Sequence, residues 1–325
     1  MVCFVGIDIA KNTIDVATHL PNGKHRTRGK LANNPAGFVE LDSWLLKHAE
    51  PGAVVVMEAT SVYHEAVAEH LYNQGYHVHV VNPKAVYHYR KSEMTGVKTD
   101  KVDAKLIADF AKDKHQRKPL RAWKPEPVAR RRLRALLRRL EDLQQMLQME
   151  RNRLDVSDNT VHASICSVIN HIEQQIKETQ QAIKDHIDDD PDLRGKRDLM
   201  VSIDGIGEKT AAVILGELGD PLDYDGPRSL VKFAGLNPEL AESGNYRGPS
   251  PISRAGSPRL RSALYLPCVT AITYNPVMAA MAKRLKANGK VGKQVVCAVM
   301  RKMLHIIYGV LKSGQPFDPK LALAR

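Results

Sequence analysis

The chain has 325 residues, enough for two domains of ordinary size that each bury a core. Its 48 Lys and Arg against 36 Asp and Glu give a formal net charge of +12, which favours a polyanionic partner, nucleic acid first, over a neutral or cationic one. Aromatic residues make up only 5%, which leaves few rings on which to stack unpaired bases, so phosphate contacts are expected to dominate.

The first run, VCFVGIDIA (2–10), is apolar with a single acid inside it, the pattern of a central strand buried on both faces, and Asp8 is the anomaly in it. No basic leader precedes it, and nowhere do about eighteen apolar residues run together, so a cytoplasmic protein with no membrane partner is expected. TIDVATHLP, the turn Pro21-Asn22-Gly23 and KHRTRGKLA continue the first strand as an antiparallel meander. NPAGFVELDSWLLKHAE has an Asn/Pro start and three-and-four spacing at Phe38, Leu41, Leu45 and Leu46, which predicts a helix packed on that sheet. AVVVMEAT (53–60) is a second apolar strand, with a lone acid near its end, Glu58. A helix through VYHEAVAEHLYNQG, a strand HVHVVNP (77–83) and a helix carrying TDKVDAKLIADFAKDK follow, and the order is that of a mixed α/β layer structure.

PLRAWKPEP (119–127) holds three prolines and reads as a linker. Beyond it Leu133, Leu136, Leu140, Leu143, Leu147 and Leu154 make one heptad seam, and Ile165, Ile169, Ile172, Ile176 and Ile183 a second, which predicts two long helices folded into a hairpin or paired with another chain. From about residue 192 come SIDGIGEKTAAVIL, then a loop rich in Gly, Ser, Pro and Arg (241–261), then helical patterns to the end. The cysteines Cys3, Cys166, Cys268 and Cys297 are too scattered for a zinc site or a disulfide framework and are expected as reduced core thiols. The 13 histidines show no metal-ligand spacing, and no nucleotide-binding Gly-rich loop is present.

A carboxylate buried in a central strand costs several kcal/mol unless something compensates it. For Asp8 and Glu58 the economical compensation is a hard cation, Mg²⁺ or Mn²⁺. Asp100 and Asp103, three apart, share one helical face and can point at the same place. Four such acids can hold two metals about 3.5–4 Å apart, an arrangement that clamps the attacking and leaving oxygens of phosphoryl transfer. The plainer reading of Asp100 and Asp103 is helix capping, and of Asp8 a hydrogen-bonded strand-end acid. Asp15 is a weaker candidate, fitting an ordinary second strand.

SIDGIGEKTAAVIL has the form of a helix-hairpin-helix, in which Gly205, Gly207 and the helix beginning near Lys209 present backbone N–H groups to a phosphate, or in which two glycines merely close a turn. Six arginines between 130 and 139, among them Arg130, Arg131, Arg132, Arg134 and Arg138, are dense enough for a backbone-binding stripe or a solvated helix face. In the loop after residue 241, serines stand among Arg247, Arg254, Arg259 and Arg261, the raw material for a nucleophile attacking a phosphodiester, although composition alone makes them solvated loop residues.

GIDIAKNTIDV, VVMEAT, VKTDKVDAKLIADF, IDGIGEKTAAVIL, KFAGLNPELAESGNYRG and ISRAGSPRLRSALY, in this order over essentially the whole chain, closely resemble the DEDD insertion-sequence transposases, the bridge-RNA-guided recombinases. The resemblance implies a RuvC-like domain of the RNase H fold (1–125), a coiled-coil region (126–191), and a mainly helical C-terminal transposase domain (192–325). It places the family's acidic tetrad on Asp8, Glu58, Asp100 and Asp103, and its nucleophilic serine on Ser243, with Ser253 as the fallback because Asn245, Tyr246 and Arg247 depart from the pattern of many relatives. It further implies donor and target DNA, a structured guide RNA, and a dimer or tetramer in which the N-terminal domain of one subunit meets the C-terminal domain of another. A metal-and-water endonuclease of the RuvC type, and a nucleic-acid-binding protein without catalysis, are the competing expectations.

Overall fold

The computed structural model describes residues 2–50, 52–93, 100–117, 120–239, 242–243, 246–247 and 250–320. The chain forms two compact units, Met1–Glu126 and Pro127–Arg325.

The first unit is built on a five-stranded sheet of β1 (Phe4–Ile9), β2 (Thr13–His19), β3 (His25–Ala32), β4 (Val54–Glu58) and β5 (His77–Val81), in the order β3-β2-β1-β4-β5. The meander β1-β2-β3 is antiparallel and β4 and β5 join parallel to β1, so β1 is the strand at which the sheet changes character. Helix α1 (Pro35–His48) starts where Asn34 accepts a hydrogen bond from the Gly37 N–H and Pro35 occupies the first turn. It buries Phe38, Leu41 and Leu45; Leu46, expected on the same face, is exposed. With α2 (Glu65–Asn73), α1 covers one face of the sheet, packing on Val5, Ile7, Ile9, Ile14 and Val16.

The opposite face carries α4 (Asp100–Arg117), whose Leu106, Ile107 and Phe110 pack on Phe4, Val54 and Val56. An additional helix, α3 (Pro83–Ser92), lies between β5 and α4; its signal was the Asn82-Pro83 cap in the HVHVVNP strand. It grips α4 through Tyr89, whose hydroxyl donates to Asp113 Oδ2 at 2.7 Å, and through Arg90, which meets Asp103. Burial, then the Asp113 hydrogen bond, raises the Tyr89 pKa, so this donor keeps its proton throughout the physiological range.

The second unit is helical among the described residues apart from a two-stranded ribbon. Helices α5 (Val128–Val156) and α6 (Asn159–Asp189) pack against each other, joined at Ser157-Asp158, where the Asp158 side chain caps α6. Their proximal ends contribute Leu133, Ile183 and Ile187 to a core shared with α7 (Pro191–Val201), α8 (Glu208–Leu218), α9 (Pro227–Phe233), α10 (Pro258–Tyr274), α11 (Pro276–Ala287) and α12 (Gly292–Ser313). Their outer part leaves Met146, Met149, Val156, Val161 and Val168 exposed. Helix α12 alone, among the described residues, is long and apolar enough to cross a membrane, but its apolar stripe from Val295 to Leu311 lies in this core. The four cysteines are free thiols; Cys268 is buried, its pKa pushed up to about 12 by desolvation, whereas Cys166 is exposed on α6 rather than in a core as expected.

Candidate active site

Strand alternation decides where the acids of the first unit face. In β1, Val5 and Ile7 point to α1 and α2, so Phe4, Gly6 and Asp8 point to α4. In β4, Val54 and Val56 pack with α4, and Glu58, two residues on, shares that face. The parallel register Gly6↔Val56 and Ile7↔Met57 brings Asp8 and Glu58 level at the C-terminal ends of adjacent strands. In open α/β sheets ligands bind in the crevice outside such strand ends, where the topology switches. Both acids are half-buried, not enclosed as expected of a strand covered on both faces, because the strands end there.

Helix α4 brings the third acid. It can lie directly on β1 because Gly6 has no side chain: a Cβ there would stand 2.3 Å from both the Ala104 carbonyl oxygen and the Ala108 nitrogen. Asp103, next to Ala104, is 9% exposed. Arg90 Nη2 lies 2.6 Å from its Oδ1, yet that oxygen is enclosed and accepts no aligned hydrogen bond among the described residues. The contact is therefore charge against charge, and the carboxylate retains an unused lone pair. Asp100 heads the helix three residues earlier; its side chain lies outside the described residues.

A further acid joins this face. Asp15, the weaker candidate by sequence, is 6% exposed and is the register partner of Asp8, with both side chains on the α4 side. The β2–β3 register shifts between Ile14 and Val16, so Gly29 and Lys30 together oppose Asp15, and Lys30 takes a left-handed φ of 59°. Bulges of this kind re-aim neighbouring side chains and recur beside active sites. The signal was the short Ala10-Lys11-Asn12 connection between β1 and β2, since its length fixes which residues stand opposite. An all-carboxylate donor set with one buried, under-bonded oxygen fits a hard divalent cation such as Mg²⁺ or Mn²⁺.

Two histidines that show no metal-ligand spacing along the chain are brought together across it. His19 and His25 are directly opposed across the β2–β3 hairpin, and Asp109 of α4 completes a group whose ligand atoms lie within 4.8 Å of one another. Burial, then the Lys112 charge, lowers the His19 pKa.

In the second unit Ser243 lies in β6 (Glu242–Ser243), paired with Tyr246 of β7 (Tyr246–Arg247). The side chains of Ser243 and Arg247 lie outside the described residues, as does Gly244. Two other loop serines are engaged: Ser253 Oγ donates to Asn237 Oδ1 at 3.0 Å, and Ser257 caps α10 while donating to Glu217 Oε2 at 2.8 Å. Arg254 is exposed at a left-handed φ of 52°.

The arginine stripe is divided. Arg138 pairs with Glu217 at 2.8 Å and Arg130 donates to the Glu217 carbonyl at 3.3 Å, so these two are tied to the end of α8 instead of being offered as a free phosphate surface. Arg131 and Arg134 are half-buried and engaged; Arg132 is exposed. The two glycines before α8 also divide. Gly207 is open and caps a helix that begins at Glu208, with Lys209 exposed beside it. Gly205 has φ 101°, and a Cβ there would stand 2.7 Å from that of Ala271, so it serves a turn packed on α10. Gly205→Ala is expected to lower the stability of this unit by about 2 kcal/mol through overpacking and strain, measured by urea denaturation, with Gly207→Ala near neutral.

Comparison with known proteins finds relatives along the whole chain. A DEDD transposase profile of the IS110 type matches residues 5–157, and the transposase profile of the IS116/IS110/IS902 family matches 197–283. The pilin gene-inverting proteins of Moraxella lacunata and Moraxella bovis are 33% identical over 322 residues, 98% of this chain and of each of theirs. The transposase for insertion sequence element IS1328 of Yersinia enterocolitica is 24% identical over 98% of this chain and 99% of its own. With two transposase profiles matched and likeness running the length of the chain, this protein belongs to the IS110 family of DEDD transposases.

Proposed function

We propose that this DNA transposase/recombinase joins strands through a serine–phosphate link, with Ser243 as nucleophile and Asp8, Glu58, Asp100 and Asp103 as the ligands of Mg²⁺ or Mn²⁺. The observation that carries the reading is that Asp8, Glu58 and Asp103 share one face of the sheet, where an enclosed Asp103 oxygen accepts no aligned hydrogen bond among the described residues. The sheet order, with an antiparallel meander followed by parallel strands, supports an RNase H-like, RuvC-type domain over 1–125, followed by a coiled-coil region (126–191) and a transposase domain (192–325).

On this reading the Ser243 oxygen attacks a DNA phosphate, forming an O–P bond as the P–O bond to one deoxyribose breaks; the serine proton is lost and the leaving oxygen gains one. The freed sugar hydroxyl of another strand later attacks the phosphoserine, which restores the serine and seals the new junction. Bound divalent ions supply positive charge to the phosphate oxygens. The acids hold and orient that charge, Arg90 holds Asp103 in place, and open Gly207, Lys209, Arg132, Arg247 and Arg254 hold the DNA backbone without reading bases.

Sequence choice is delegated to base pairing with a structured guide RNA, as the family resemblance implies; the +12 charge suits RNA and DNA equally. The exposed apolar residues on the outer part of the α5–α6 pair suit association of copies in the cytoplasm, so that the serine and the acids of one active site come from different subunits.

The test is to incubate the protein, purified with its co-purifying RNA, with end-labelled DNA from the flanks of its own gene. Mg²⁺ is expected to yield a protein–DNA adduct on a denaturing gel, and EDTA to suppress it by more than a hundredfold. Free cleaved ends without an adduct would instead identify a metal-and-water endonuclease that needs only the acids.

A further inference from the structure

We propose a second metal site in the first unit, a His19–His25–Asp109 centre for Zn²⁺ or a similar transition ion, separate from the acidic site. The two histidines face each other across the base of the β2–β3 hairpin, and Asp109 reaches them from α4. His25 Nε2 lies 2.8 Å and His19 Nε2 3.9 Å from Asp109 Oδ1. Tetrahedral zinc with bonds of about 2.0–2.1 Å holds its donors about 3.3–3.4 Å apart, a spacing that these two distances bracket.

The imidazole rings stand edge to face at 5.4 Å and are largely covered, so small ring rotations suffice to close the site. Two imidazoles with one carboxylate select a borderline ion over Mg²⁺, and three protein donors leave a fourth position for water. The register Phe4↔His19 places the group at the far end of β1 from Asp8, about 13 Å away at ~3.3 Å per residue.

The group already carries a cation of its own: Lys112 Nζ lies 3.2 Å from His19 Nε2. Lys112 and His19 also line a groove of about 590 Å³ with Arg26 and His48. That groove supplies both the entry path for an ion and the space into which the lysine withdraws. Lys112 is thus a placeholder that limits affinity. A bound ion would pin the hairpin to α4 one and two-thirds turns from Asp103, stiffening the helix that presents the acids.

The experiment is a Co²⁺ titration of the demetallated full-length protein, reading the intense visible absorption of four-coordinate cobalt, with thermal melts in Zn²⁺ alongside. One equivalent is expected to develop the band, and Zn²⁺ to raise the melting temperature. His19→Ala and His25→Ala are expected to lose the band while Asp103→Asn keeps it. Lys112→Met, which leaves every ligand in place, is expected to tighten binding tenfold or more. No band in the wild-type protein, a band that survives in His25→Ala, or unchanged affinity in Lys112→Met overturns the proposal.

Discussion

Gly6→Ala is expected to cost the first unit about 3 kcal/mol or more and to lower DNA cleavage by about a hundredfold in the protein that remains folded. The added methyl meets the Ala104 oxygen and Ala108 nitrogen at 2.3 Å and the Ile107 carbonyl carbon at 2.9 Å, all of them backbone atoms of α4. No side chain can swing away, so the helix must lift by about 1 Å to restore ordinary contact distances. Asp103 moves with it, off the strand that carries Asp8, while Ile107 and Phe110 lose contact with Phe4 and Val56. Urea denaturation reads the first loss and a cleavage assay the second. Unchanged values in both would mean that α4 is not seated on β1.

Asp103→Asn is expected to leave the fold intact and to reduce cleavage on the order of a thousandfold, equivalent to about 4 kcal/mol of lost electrostatic stabilisation. The amide keeps the shape of the carboxylate but removes the charge that faces Arg90 and, on the proposed mechanism, a metal ion. The same variant is expected to lose most of the thermal stabilisation by Mg²⁺, which for a one-site ligand at a hundred times its dissociation constant is about 2.7 kcal/mol. Differential scanning calorimetry with and without Mg²⁺ separates this from simple destabilisation. A variant that loses cleavage yet retains the full Mg²⁺ shift would remove Asp103 from the metal site and make its ion pair with Arg90 purely structural.

Much of the first unit was legible because its physics is local. Apolar runs ending in single acids mark β1 and β4, and the three-and-four spacing together with Asn34-Pro35 marks α1. The acids stood out because they break an otherwise apolar pattern, and the stretch that matches the IS110-type transposase profile, residues 5–157, contains them.

What was missed depends on partners distant in sequence. Asp15 looks ordinary until the hairpin register sets it opposite Asp8, and His19 and His25 show no metal spacing along the chain because their pairing is across it. Arg130 and Arg138 belong to a charge run by sequence, but Glu217, some eighty residues on, engages both. Gly205 matches a phosphate-binding turn, yet its contact is Ala271 on α10, which no local pattern announces. Leu46 fits the spacing of its helix and is nonetheless exposed, because α1 presents a narrower stripe to the sheet than its sequence offers.

The central claim is that a serine of the second unit becomes joined to DNA under the control of acids in the first. Its most direct measurement is to trap the Mg²⁺-dependent protein–DNA adduct, digest it with protease and nuclease, and locate the nucleotide-bearing peptide by mass spectrometry. The modification is expected on Ser243, with no adduct formed by Ser243→Ala or Asp103→Asn. A nucleotide on Ser253, or an adduct that persists in Ser243→Ala, would contradict it.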